Sequence, residues 1–238
     1  MHARSLILAL GCFLPAMAHA EATSAEHGRP LVVELFTSQG CSSCPPADAY
    51  LLDLSRSRPD LLALSFHVTY WNSLGWTDPF SLPEATDRQR RYASLSSDGQ
   101  VYTPEMVIEG ARGEVGSDRT AVAAALERAS AQAAEVAPLR LARVGGQVEI
   151  LVGPGTGRGT IWLIGFDRQH RTPVGRGENG GRTLLEVNVV REIRPAGTWT
   201  GQVLRLRQEA PAGEEAAVIV QEDGGRVLGA GRFAAPGS

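Results

Sequence analysis

Leu31-Val32-Val33-Glu34-Leu35-Phe36-Thr37-Ser38-Gln39-Gly40-Cys41-Ser42-Ser43-Cys44-Pro45-Pro46-Ala47-Asp48 is the stretch that decides how this chain folds. Its first six residues are branched and apolar except Glu34, the pattern of a short strand buried on both faces. Thr37 to Gly40 reads as a turn. Behind the cysteines Ala47, Tyr50, Leu51 and Leu54 fall at i, i+3, i+4 and i+7, one face of a helix. A Cys-x-x-Cys between a buried strand and a helix has chemical meaning. The thiolate is the reactive form, and N–H groups at a helix N-terminus stabilise it. Two intervening residues let the second thiol reach the first and resolve a mixed disulfide. Cys41 is the candidate attacking thiol and Cys44 the resolving one.

Other uses of the pair stand beside this one. Zinc takes four ligands, and beyond residue 20 the chain offers only His27, His67 and His170 and no second CxxC. Cu(I) suits soft thiolates, and His67, ending the next strand Leu61–Val68, is placed to join both cysteines. A merely structural disulfide is also open, although so small a loop restricts the unfolded chain little.

Working outward, the N-terminus speaks of export. His2 and Arg4 precede an apolar run from Leu6 to Ala18, and Ala18-His19-Ala20 is a small-x-small cleavage pattern. Residues 1–20 read as a signal peptide cut after Ala20, so the mature protein is expected in the periplasm or secreted. Ala9-Leu10-Gly11 before Cys12 matches a lipoprotein signal poorly. The run is shorter than the roughly 20 residues a spanning helix needs, and no later stretch reaches that length, so no transmembrane segment is expected. Cys12 leaves with the signal peptide. Cys41 and Cys44 are then the whole cysteine inventory, in a compartment that oxidises thiols.

The 238 residues carry a formal charge of −3, with 43% hydrophobic residues. That charge is no footprint of nucleic-acid binding, and the apolar fraction is that of a globular chain. Every one of the 23 basic residues is arginine, which excludes a Schiff-base or phosphate-loop lysine. Past Phe36 the reading runs helix, strand, aromatic loop (Tyr70, Trp71, Trp76, Phe80), and then a helix with Ser81-Leu82-Pro83-Glu84 as a capping box. A third strand follows at Glu105–Glu109, a short fourth around Arg112–Val115, and an alanine-rich helix capped at Ser117 or Asp118. After Pro138 the texture becomes strands and glycine turns, with hairpin signals at Gly145-Gly146 and Asp223-Gly224. Strands are expected at Leu139–Val144, Gln147–Val152, Thr160–Phe166, Leu184–Ile193, Gln202–Arg207, Ala216–Gln221 and Arg226–Phe233. The expected architecture is an α/β domain over 30–137 with an appended C-terminal antiparallel β sheet or sandwich over 138–235.

Strand, CxxC, helix and the later Thr103-Pro104-Glu105-Met106-Val107-Ile108 resemble the thioredoxin superfamily. More closely, Val33 to Asp48, His67-Val68-x-Tyr70-Trp71 with Leu74-Gly75-Trp76, Val101-Tyr102-Thr103-Pro104, and Gly177-Glu178-Asn179 with Gly181-Arg182 resemble DUF1223, a family of exported bacterial proteins of unknown function. The resemblance implies a thioredoxin-like fold and a cis-proline at Pro104, set against the cysteines beside Thr103. It supplies no activity. The chain departs from ordinary thioredoxins in having Gly40 where tryptophan precedes the first cysteine, and in Pro45-Pro46. The prolines fit best in a first helical turn capped by Ser43, which leaves Cys41 off the helix end.

A carboxylate inside an apolar strand is costly without work or a partner. Thioredoxin resemblance implies the work: Glu34 relaying the proton of Cys44. A plain hydrogen-bonded glutamate is the alternative. Tyr70, Trp71 and Trp76 form a substrate platform or seal the two parts of the chain together. Arg88, Arg90 and Arg91 read as a solvated helix face. Gly175 to Arg182 lacks a phosphate-loop ending and reads as a turn, with Glu178 between Arg176 and Arg182 a possible ion cluster. The function expected is thiol–disulfide exchange with an extracytoplasmic protein or a small-molecule thiol or disulfide, needing no cofactor beyond the cysteines. The alternatives are copper binding or a redox-silent interaction protein.

Overall fold

The structure is a computed structural model that describes residues 29–96, 99–111 and 113–233. The expected signal peptide, Cys12 and Arg112 lie outside the described residues. Eleven strands and three helices form one mixed sheet of eight strands and a second, antiparallel sheet of three among the described residues. In chain order the elements are β1 (Leu31–Thr37), α1 (Pro45–Ser57), β2 (Leu61–His67), α2 (Pro83–Leu95), β3 (Glu105–Ile108), β4 (Glu114–Val115) and α3 (Arg119–Gln132), then β5 (Leu139–Val144), β6 (Gln147–Val152), β7 (Gly159–Pro173), β8 (Thr183–Trp199), β9 (Leu204–Glu209), β10 (Glu215–Gln221) and β11 (Val227–Arg232). The large sheet runs β11-β10-β7-β8-β2-β1-β3-β4 and the small one β5-β6-β9.

Every residue of β1 is buried, Glu34 and Thr37 included, as in a strand covered on both faces. Val33 and Leu35 face α1 and α3, packing with Ala47, Leu51, Leu54 and Val122. Val32 and Phe36 face the other way, toward Phe66, Ala85 and Tyr92. β1 and β2 pair in parallel through the α1 crossover, which sets Phe36 beside Phe66 and Thr37 beside His67. The C-terminal strand ends of this pair carry the site.

The large sheet takes strands from both sides of residue 137. β8 joins β2 in parallel, with Ser65 opposite Val189, and Val187 of β8 shares a core with α1. What is appended as a sandwich is only the small sheet, whose Leu141, Val148, Ile150 and Val152 pack on Ile161, Leu163, Val218 and Val220. The large sheet also curves round its α2 face. β11 and β3 stand far apart in strand order, yet Val227 N donates to Glu109 O at 3.4 Å. A Cβ on Gly110, whose φ is 70°, would lie 1.7 Å from Gly225 O.

β7 and β8 run far beyond their expected cores, to 15 and 17 residues. The added stretches are the polar residues 167–173 of β7 and residues 194–199 of β8, neither of which carries an apolar run to read. Paired from Asp167–Val189 to Pro173–Thr183, the two strands form an arm that brings residues 174–182 over the N-terminus of α1. The expected capping box at Ser81 does not form. Leu82 is the N-cap of α2 without a side-chain bond, because the Ser81 hydroxyl accepts from Asn72 and donates to Asp78 O. Asp118 caps α3 as expected, accepting from Thr120 N and Ala121 N.

Candidate functional site

Cys41 and Cys44 form a disulfide in the turn before α1. Both prolines lie in the first turn, but the N-cap is Cys44 rather than Ser43, whose hydroxyl instead contacts Cys41 Sγ at 3.4 Å. Cys41 thus stands one turn before the helix, while Cys44 sits at its end. Both cysteines are wholly buried although Ser42 and Ser43 between them are exposed.

Three groups of side chains surround the pair. First, the Thr103–Pro104 bond is cis. Pro104 O accepts from Gly116 N, and a Cβ on Gly116 would stand 3.1 Å from Ala47 Cβ and 3.4 Å from Pro104 Cβ. Pro104 is therefore beside the first turn of α1.

Second, the two tryptophans bracket residues 39–40. Trp71 Nε1 donates to Thr103 Oγ1 at 2.8 Å, and its Cβ would be 3.2 Å from a side chain on Gly40. Trp76 Nε1 donates to Gln39 Oε1 at 3.0 Å. Tyr70 is turned toward α2, where its hydroxyl donates to Gln89, and burial raises its pKa to about 12. Trp71, Trp76 and Thr103 are thus brought together at the pair, and Tyr70 lies at the far side of Thr103.

Third, a buried polar cluster lies on the α1 face. Asp48 is one turn after Cys44, on the same helical face. It accepts from Thr37 Oγ1 at 2.8 Å. Asp78, from the aromatic loop, meets His67 Nδ1 at 2.7 Å and accepts from Gln39 N at 2.8 Å. Glu186 of β8 accepts from Gln39 Nε2 at 2.8 Å and lies 4.0 Å from His67 Nε2. All four of His67, Asp48, Asp78 and Glu186 are buried. Burial pushes the Asp48 carboxyl up to about 7, against the pull of His67. Burial alone depresses His67, but the Asp78 charge and hydrogen bond, with Glu186 and Asp48 behind them, carry it up to about 9. Burial also raises Glu186, whereas His67 and several hydrogen bonds hold Asp78 low despite its burial.

Glu34 is elsewhere. Its carboxylate accepts from Arg88 Nε and Nη2 and from Tyr92 Oη, on the sheet face opposite α1. Arg88 is accordingly buried rather than solvated. Its guanidinium lies over the rings of Phe66, Tyr92 and Trp162; burial alone would lower its pKa, but the Glu34 charge and hydrogen bond, with Tyr92, carry it above the ordinary range. Arg90 and Arg91 carry the solvated character expected of the helix, in exposed pairs with Asp87 and Asp223. Among the described residues no group of three or more His, Cys, Asp and Glu is arranged to hold a metal ion. Both nitrogens of His67 have a carboxylate beside them, Asp78 at Nδ1 and Glu186 at Nε2.

Glu178 forms no ion cluster with Arg176 and Arg182. It accepts from Ser42 N at 3.0 Å, which holds its carboxyl below the usual range. Arg182 instead donates to Asn179 Oδ1 at 2.9 Å. The described helices include none long and apolar enough to cross a membrane.

This geometry joins the N-terminal strands to the C-terminal arm, and one family model spans both. The model of the protein family of unknown function DUF1223 matches residues 32–221. The chain belongs to the DUF1223 family. No curated protein matches it. The crystal structure of protein AGR_C_4864 from Agrobacterium tumefaciens is similar at 29% identity with a TM-score of 0.78, covering 90% of this chain and 98% of that one. HBP35 of Porphyromonas gingivalis shares the fold at 12% identity with a TM-score of 0.62, over 90% of this chain and 78% of that one.

In this DUF1223 chain, sequence reasoning missed Asp48, Asp78, Glu186, Gln39 and Asn179. The signal that singled out Glu34 was available for Glu186, a carboxylate in an apolar strand. Asp48 stood in the quoted stretch, beside the buried positions 47 and 51. Gln39 and Asn179 stood in stretches that resemble the family but pointed to no role, and Asp78 is a loop residue with no pattern of its own.

Proposed function

We propose that this DUF1223 protein is an exported thiol–disulfide exchange protein with a thioredoxin-like core, working through Cys41 and Cys44. The single observation that carries the reading is the Cys41–Cys44 pair at the start of α1 with the buried Asp48 carboxyl one turn behind Cys44. Strand order β2-β1-β3-β4, the α1 crossover and Pro104 beside the first turn of α1 support the thioredoxin-like assignment. The apolar run at residues 6–18 supports export.

Starting from the disulfide, a substrate thiolate attacks Cys41 Sγ and the Cys41–Cys44 bond breaks. The electron pair leaves on Cys44 Sγ, which takes a proton from Asp48. A second substrate thiolate then attacks the substrate sulfur of the mixed disulfide and Cys41 departs as thiolate. Two substrate thiols become one disulfide, and two electrons pass to the cysteine pair; the reverse sequence returns them. Asp48, with a pKa of about 7, is matched to proton exchange near neutrality. Trp71, Trp76 and Thr103 form the wall around the pair.

The test is equilibration of the mature protein with reduced and oxidised glutathione at a series of ratios, followed by alkylation. A pair that titrates reversibly and passes electrons to a test disulfide is the expected result. A pair that stays oxidised at every ratio and in both directions overturns the reading.

A further inference from the structure

The cysteine pair is wholly buried, yet it lies in a turn whose middle residues are exposed. What closes over it is the tip of the β7–β8 arm. Between 174 and 182 only Val174 and Asn179 are buried, and Asn179 is the residue inserted at the site. Its Nδ2 donates to Gln39 O at 3.0 Å and to Cys41 O at 2.9 Å. Its neighbour Glu178 accepts from Ser42 N. The two side chains therefore grip the Cys41–Ser42 peptide unit at its carbonyl and at its N–H. Gly177 lies against the aromatic loop, where a Cβ would come 3.0 Å from Trp76 Cβ. The tip is held together by its own bonds, Val174 N to Arg182 O, Gly181 N to Val174 O and Gly180 N to Gly177 O. It can leave the site as a unit without losing them.

We infer that residues 174–182 form a lid on the cysteine pair that a polypeptide substrate displaces and a small thiol does not. The inference rests on the exchange reading above and names its substrate class. Lifting the lid strips hydrogen bonds from two carbonyls and one amide, and leaving such groups unpaired is costly. A polypeptide main chain carries both N–H donors and C=O acceptors and can replace the lost bonds as it docks. A small thiol such as glutathione has no docked chain with which to hold the lid open, so it reacts only with the fraction of molecules already open.

The experiment measures second-order rate constants for reduction of the Cys41–Cys44 disulfide by glutathione and by reduced, unfolded ribonuclease A. It compares the unaltered mature protein with Asn179→Ala and Glu178→Ala. Glu178 is exposed and makes a single contact to the cysteine turn, so its variant reports on the lid even where Asn179→Ala impairs folding. The unaltered protein is expected to prefer the polypeptide. The preference should fall at least tenfold in Asn179→Ala and about threefold in Glu178→Ala, through faster reaction with glutathione. Equal glutathione rates for all three proteins, with exchange still occurring, overturn the lid and leave the exchange reading standing. A disulfide inert to both reductants in every variant overturns both.

Discussion

Thr37 Oγ1 donates a 2.8 Å hydrogen bond to Asp48 Oδ1, tying the last residue of β1 to the first turns of α1 directly behind Cys44. The bond holds a carboxyl whose pKa burial has raised to about 7. Asp48→Asn keeps an acceptor for Thr37 but cannot give a proton to the Cys44 thiolate. General acid–base steps contribute about 10²–10⁴-fold, so disulfide opening by a thiol at pH 6.5 should slow by at least tenfold. Rates corrected for the attacking thiolate should fall as pH rises through 7 in the unaltered protein and stay flat in Asp48→Asn. Stopped-flow measurement from pH 5.5 to 8.5 checks this. Parallel profiles for the two proteins would remove Asp48 from the reaction.

Glu34 and Arg88 make the opposite prediction. The pair is buried on the α2 face, with Tyr92 completing the carboxylate's bonds. Removing one partner of a buried pair costs about 3–5 kcal/mol because the other charge is left uncompensated. Arg88→Met should lower stability by about that much in urea titration. Glu34→Gln should destabilise too, while its exchange rate stays within twofold in samples shown to be folded. A tenfold loss of exchange in folded Glu34→Gln would return Glu34 to the reacting groups and displace Asp48.

The contrast between these two acids marks what was legible in the sequence. β1, the prolines in the first turn of α1, the β5–β6 hairpin and Asp118 as a cap all follow from local patterns, and each stands where it was read. Glu34 was legible as an anomaly, but its partner was not. Arg88 looks like any helix arginine until the fold sets its side chain inward against β1. The same is true of Glu178 and Asn179, which reach the cysteines only because β7 extends past its apolar half to pair with the start of β8. A local pattern reports what a segment buries; it does not report which distant segment arrives there. That the large sheet runs across residue 137 was not legible for that reason, since nothing in β8 alone announces that it will pair with β2.

His67 gives a pH window. Its pKa is raised from 6.5 to about 9 by Asp78, Glu186 and Asp48 acting against burial. A base with a raised folded-state pKa contributes stability that is complete below about 6.5 and is lost as pH climbs through 9. Asp48 runs the same way over a lower range, because its pKa rises from 3.8 to about 7; its contribution is gone by about pH 8. The slope between pH 8 and 9.5 therefore belongs to His67. Urea midpoints should fall across that interval, and His67→Gln should flatten the fall. A midpoint that rises with pH there would contradict the ion pair with Asp78.

The last prediction concerns cooperativity. If residues 30–137 and 138–235 were separate units, heat would melt them separately. The core argues otherwise. Val32, Phe36, Leu64 and Tyr92 pack in one cluster with Ile164, Phe166, Val190, Ala217 and Ala230, and β2 loses its β8 neighbour if the chain is cut. A fragment ending at 137 would expose that buried strand edge and a whole apolar face, the conditions for edge-to-edge association. Calorimetry of residues 21–238 should show one transition with calorimetric and van't Hoff enthalpies in agreement. Residues 29–137 expressed alone should aggregate or melt without cooperativity. Two resolved transitions, or a soluble fragment with a cooperative melt, would set a seam at 137 and make the β7–β8 arm a visitor from a second domain.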